Sequence, residues 1–160
     1  MTFNEWLKTV PRELTEDPLW QMEVYRLGVF AGDLAWPDAT KLIQDKRTLS
    51  LSDPLYHAVG SVSGNIAEGY GRQSGKDQAR YYEYALGSAR EARNWSYESR
   101  HILTEVVALH RMHLLTQIIR LLLTIIPGER GYKLHEEPPG YGTETEPALA
   151  DLLANIPMPQ

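Results

Sequence analysis

Cysteine is absent from the 160-residue chain. That excludes a disulfide framework, a thiolate metal site and a cysteine nucleophile, and it fits a reducing compartment. The opening "MTFNEWLKTVPRELTED" has acids and a proline where a signal peptide needs a basic start and an unbroken apolar core, so a cytoplasmic protein is expected. Long apolar runs are also missing. The longest, "LLTQIIRLLLTII", contains Gln117 and Arg120 and falls short of the roughly 18 residues of a membrane span, so it reads as buried protein and no membrane partner is expected. Positive charge is not in excess either, since the chain carries −5. From Gly128 to Gln160 six acids (Glu129, Glu136, Glu137, Glu144, Glu146, Asp151) stand against Arg130 and Lys133, which places −4 in the tail and leaves about −1 for the body.

No alternating apolar and polar run suggests a strand, whereas apolar residues recur at helical spacing almost everywhere before Pro127. The chain length suits one domain with a real core. The expected fold is all-α, an up-and-down antiparallel four-helix bundle over residues 17–127. Residues 1–16 should form an amphipathic N-terminal segment whose short helical piece ends before Pro11, and residues 128–160 an acidic, Pro/Gly-rich tail.

The first long helix is expected from Asp17, an N-cap followed by Pro18, with Trp20, Val24, Leu27, Ala31 and Leu34 as its buried stripe. Pro37 should kink or restart it before it ends near Asp45. Asp53-Pro54 gives the same start signal for the second helix, whose seam is Leu55, Val59, Val62, Ile66 and Tyr70. Gly60, Gly64, Ala67 and Gly71 fall on its other side, which predicts close approach by a neighbouring backbone. The third helix follows a turn at residues 73–76 and has a mainly small seam of Tyr81, Ala85, Ser88, Ala89, Ala92, Ser96 and Ser99. The fourth should run from Thr104 to Ile126 and stop at Pro127-Gly128. Its last turns are apolar nearly all round, so Leu121, Leu122, Leu123, Ile125 and Ile126 are candidate interface residues for self-association. In the tail, "PALADLLANI" predicts a short helix through Leu149, Leu152, Leu153 and Ile156 that needs a docking surface, expected on its own oligomer.

Four groups of residues invite a chemical reading. Ser61, Asn65, Glu68 and Arg72 advance by four, three and four residues along one flank of the second helix. An enzyme would use Glu68 as a general base there, with Asn65 and Arg72 as polarising groups. A bundle would use the strip as a structural polar ladder to Ser88 or Glu91 on the facing helix, and the need of buried polar groups for partners favours that reading. Gly69-Tyr-Gly71 has neither the third glycine nor the Lys-Ser/Thr of a phosphate loop, and reads as a helix end with a left-handed cap. Glu98/His101 and His110/His113 are one-turn pairs, but neither completes a ligand set, so no metal or other cofactor is expected. The second pair, beside Arg111, reads as a solvated or interface face. Finally, Arg90, Arg93, Tyr97 and Arg100, with Arg72, Lys76 and Arg80 near the preceding turn, form a candidate nucleic-acid surface, with Glu83, Glu91 and Glu98 expected to face elsewhere. The alternative is an exposed face with ordinary helix ion pairs.

The stretch "VGSVSGNIAEGYGRQSGKDQARYYEYALGSAREA", residues 59–92, resembles the signature of the bacterial four-helix bundle family encoded in 23S ribosomal RNA intervening sequences. The resemblance rests on Asn65-Ile66-Ala67-Glu68-Gly69, then Gly71-Arg72, then Leu86-Gly87-Ser88 with Glu91, with a looser helical match from Asp17 to Ile126. It implies the up-and-down bundle and five-membered rings. It also implies kinship with the accessory proteins of diversity-generating retroelements, which bind nucleic acid beside a reverse transcriptase. The expected function is therefore a non-catalytic, ring-forming binding protein for RNA or DNA, with a reverse transcriptase as a candidate partner. The alternatives are a purely protein-binding scaffold or a small-molecule enzyme using Glu68.

Overall fold

The computed structural model describes residues 2–130 and 147–160. Among these residues there is no strand, and the fold is all-helical with long helices packed together. Two short helices, α1 (Phe3–Leu7) and α2 (Arg12–Thr15), and a 3-10 turn (Pro18–Gln21) precede the first long helix, α3 (Glu23–Leu42). It is followed by α4 (Leu49–Tyr70), α5 (Gly75–Glu98), the single turn α6 (Arg100–Leu103), α7 (Glu105–Arg130) and the short α8 (Leu149–Ala154). Helix α4 packs between α3 and α5, and α7 lies against α5 and, along less of its length, against α3.

The short N-terminal pieces are fastened by local chemistry and one large anchor. Thr2 and Glu5 complete a capping box on α1, and Trp6, 2% exposed, sits among Phe3, Trp20 and Phe30. Asp17 accepts from the Leu19 N–H at 2.8 Å, but what it caps is the 3-10 turn, so the long helix begins at Glu23 and not at Pro18. The predicted stripe of Trp20, Val24, Leu27, Ala31 and Leu34 is buried in full.

Pro11 and Pro18 stand at helix boundaries as expected, but Pro54 and Pro127 do not set the boundaries expected of them, and α3 does not restart at Pro37. Pro37 and Pro54 lie inside α3 and α4, where the bonds they forgo would have gone to the carbonyls of Asp33 and Ser50, both exposed residues that water can serve. Helix α4 gains its extra first turn from buried Thr48, which donates to the Leu42 carbonyl at 2.9 Å, and from buried Ser52. Pro127 does not end α7, which runs on to Arg130 and brings the Glu129 carbonyl against Gly75 at the start of α5. Between α6 and α7, Thr104 takes φ 78° and ψ 152°, a conformation costing a β-branched residue on the order of 1–3 kcal/mol, and it marks the predicted start of the last long helix.

Burial corrects two surface expectations. Leu122, Leu123 and Ile126 belong to the chain's own core, and Leu121 and Ile125 pack half-buried against it, so most of the apolar girth of α7 is spent inside the monomer. Composition and length alone would let Glu105–Glu129 cross a membrane, but 61% of its apolar window is buried against neighbouring helices. Residues 147–160 dock on their own chain, through α8 against α7 and α1. Leu152 is buried, and Leu149, Leu153 and Ile156 are half-buried. The extended stretch expected after the bundle falls on residues 131–146, outside the described residues.

Candidate nucleic-acid interface and a buried polar corner

The polar strip of α4 is satisfied close to home. Asn65 donates to the Ser61 carbonyl of its own helix at 2.8 Å, and Glu68 forms an ion pair with Arg72 one turn on. Arg72 then donates to the Tyr81 hydroxyl on α5 at 2.8 Å and lies over that ring, 4.4 Å from its centre. The expected ladder to Ser88 or Glu91 is replaced by this single bridge, and Glu91 instead accepts from the Trp95 indole N–H at 3.2 Å. The partner of the Glu68 carboxylate is the Arg72 cation.

What joins α4 to α5 is a missing side chain. A Cβ on Gly69 would lie 2.8 Å from Tyr82 Cε1 and 2.9 Å from Tyr81 Cβ, so the two helices meet at van der Waals distance there. Gly60 and Gly64, predicted to do the same, have nothing within 4 Å of where a Cβ would stand, and the side of α4 they mark is open in the single chain. Periodicity assigned them to one face correctly but named no neighbour for it. Gly71 caps α4 at φ −75°, in the right-handed region and not the left-handed one expected, because the chain leaves through Arg72 without reversing there.

Around this junction cations and tyrosines share one corner. Arg80 lies 5.6 Å from the centre of the Tyr81 ring, Tyr84 meets Tyr81 edge-on at 5.6 Å, and Tyr70 and Tyr84 are exposed, as is Lys76. Farther along, exposed Tyr97 carries the Arg100 guanidinium 3.9 Å from its ring centre, and Arg93 turns inward to donate to Thr116 on α7 at 3.2 Å. Arg90 is exposed. Not all of the acids face elsewhere. At about 100° per residue, Glu83 falls within about 20° of Arg90 and Glu98 shares its direction with Arg80. The outer face of α5 is therefore mixed in charge, and at the α4–α5 corner Arg72, Lys76 and Arg80 stand with Glu68 and Asp77, the ion-pair partners of the two arginines.

A second polar site joins α3 to α7. Asp38, on α3 behind Pro37, and Arg111, on α7, are both 5% exposed or less and form a bidentate pair at 2.7 and 3.1 Å. Arg111 also donates to His110 Nδ1 at 3.0 Å, and His110 Nε2 meets the Leu152 carbonyl of α8 at 2.8 Å. Burial pushes the Asp38 carboxyl up against the opposing pull of Arg111, and it holds His110 down at about 4. His110 and Arg111 thus lie inside the molecule, not on a solvated face. The available sequence signal was their place in an apolar helix, 73 residues from the acid that neutralises the arginine. Among the described residues no three His, Asp or Glu side chains gather as metal ligands.

Comparison with known proteins gives one positive finding. No curated protein and no solved structure matches the chain. The family model of the 23S rRNA-intervening sequence protein matches residues 22–124, which span α3 to α7 and include both the α4 strip and the α5 face. The chain belongs to the 23S rRNA-intervening sequence protein family.

Proposed function

We propose that this protein is a non-catalytic, cytoplasmic binding protein that takes single-stranded RNA or DNA at the corner where α4 passes into α5. The observation that carries this reading is the joint placement of Arg72, Lys76 and Arg80 with Tyr70, Tyr81 and Tyr84, because cations supply phosphate contacts and exposed rings supply base stacking. Arg90, Tyr97 and Arg100 would extend the track by about 30 Å along α5 to the start of α6. The reading takes α3, α4, α5 and α7 as an up-and-down antiparallel bundle, which their short connections support. It also takes the protein as self-assembling, with five copies as the number that the family resemblance implies. A ring multiplies the corner by its copy number, and a reverse transcriptase is the first protein partner to test. Titration of a labelled single-stranded RNA at several salt concentrations, with light scattering for the assembly, tests it: affinity falling as salt rises supports phosphate contacts, and a flat response removes them.

A second reading, a protein-binding scaffold, is favoured by a different surface. Trp36 is 65% exposed and stands edge-on to Tyr56 at 5.8 Å, over a groove floored by Gly32 and Gly60. Loss of partner capture in Trp36→Ala, with RNA binding unchanged, would favour it.

A further inference from the structure

We propose that the groove between α3 and α4 at Trp36 receives an arginine side chain carried by a protein partner, an inference that rests on the protein-binding reading of this surface and names what it would hold. Val29, Gly32, Asp33 and Trp36 share one face of α3 at helical spacing, and Tyr56, Gly60 and Ser63 do the same on α4, around a space of about 400 Å³. Its two ends differ. At Gly28 the helices come close, since a Cβ there would lie 3.3 Å from Ser63 Cβ, whereas a Cβ on Gly32 or Gly60 would meet nothing within 4 Å. Two missing side chains therefore leave the groove open for about 10 Å along α3, from Val29 to Trp36.

The open end is walled by aromatic rings. Trp36 and Tyr56 stand 5.8 Å apart with their planes at 68°, and 65% of Trp36 and 44% of Tyr56 face solvent. Tryptophan is the best aromatic receptor for a cation, and a planar guanidinium can also stack on its face. The charge in the groove has the matching sign. Asp33 is the one ionised residue of the lining, and the buried Trp6 indole N–H holds its Oδ2 at 2.5 Å, which leaves Oδ1 for a second donor. Among the described residues no lysine or arginine pairs with Asp33, and Lys41 lines a different hollow with Pro37, Thr40 and Gln44. Because Trp6 fixes the carboxylate, a ligand finds it already ordered, which lowers the cost of binding.

This chemistry is the reverse of that at the α4–α5 corner. Tyr56 lies about 20 Å along α4 from Tyr70, and a phosphate chain that suits Arg72, Lys76 and Arg80 would be repelled by Asp33. Asp53, exposed one turn before Tyr56 on α4, adds to the negative field on that side. An uncharged apolar ligand would use the two rings and leave the carboxylate without a partner. A guanidinium uses both.

The test titrates the full chain with the tripeptide acetyl-Gly-Arg-Gly-amide and follows the Trp36 indole N–H and the Gly32 amide by NMR, with the citrulline tripeptide as an uncharged control of the same shape. The expected result is a saturable shift of both signals by the arginine peptide. Affinity should be weaker by about threefold or more for the citrulline peptide, and likewise for Asp33→Asn, whose side-chain oxygen can still accept from Trp6. Gly60→Leu fills the groove from its floor without entering the core and should abolish the shift. No shift of Trp36, equal affinity for the two peptides, or a saturable shift in Gly60→Leu would each overturn the arginine site. A Trp36 signal that moves with protein concentration before any peptide is added would place a second copy in the groove and overturn it too. Capture of a partner that is lost in Trp36→Ala but indifferent to Asp33→Asn would keep the protein-binding reading and still overturn this site.

Discussion

Arg72 keeps its partners near, with Glu68 one turn back and Tyr81 nine residues on, and 40% of its side chain remains in solvent. Arg111 is 6% exposed at its side chain and reaches across the fold to Asp38, 73 residues away. The same residue type therefore does two jobs. At the α4–α5 corner the charge is shared between water and neighbours close in sequence, and the proposed binding uses the part that faces solvent. At the α3–α7 corner the charge has been taken out of water and depends on one carboxylate, which ties it to folding and leaves nothing over for binding.

The strongest way to sharpen this contrast is to remove Arg111. Arg111→Met leaves Asp38 buried without its partner and should cost about 3–5 kcal/mol in denaturant unfolding, with much of the loss recovered in the double variant Asp38→Leu/Arg111→Met. The next effect is read in pH. His110 has a folded-state value below its unfolded one, so its contribution is complete above about pH 6.5 and is lost as pH falls towards about 4. Asp38 is raised and acts with the opposite sign, its contribution present in acid and lost as pH rises through its folded value. The difference between the natural chain and His110→Gln isolates the histidine, and it should change by on the order of 2–3 kcal/mol across that window.

Two glycines of α4 extend the comparison to packing. Gly69→Ala pushes a methyl into Tyr81 and Tyr82 and should lower stability by about 1–3 kcal/mol. Gly60→Ala meets open space on an exposed turn and should raise it by about 0.5–1 kcal/mol. If Gly60→Ala also weakens self-association in light scattering, the open side of α4 is where a second copy sits.

The helices and most of their buried stripes were legible in the sequence because periodicity is a local signal. Leu27, Leu34, Val62, Ile66, Ala89 and Ala92 needed no distant partner to be placed on an inner face. The prolines misled because propensity is local too, whereas the packing around Leu34, Asp38 and Leu42 that carries α3 past Pro37 is not. The α4 strip was readable as structural, but its bridge to Tyr81 was not, because which side chain faces Arg72 depends on the turn at residues 71–74. Least legible was the Asp38–Arg111–His110 chain. Nothing near Arg111 in sequence announces the acid it needs, and an arginine flanked by two histidines looks like surface until the helix opposite is in place.

The most direct measurement of the central claim, that the α4–α5 corner binds nucleic acid and is separable from folding, is a titration of labelled single-stranded RNA against the natural chain and an Arg72→Ala/Arg80→Ala/Tyr84→Ala variant, with thermal unfolding of both. The expected result is salt-sensitive binding by the natural chain, weakened at least about tenfold in the variant while the unfolding midpoint stays within a few degrees. No binding by the natural chain, or equal binding by a well-folded variant, would contradict it.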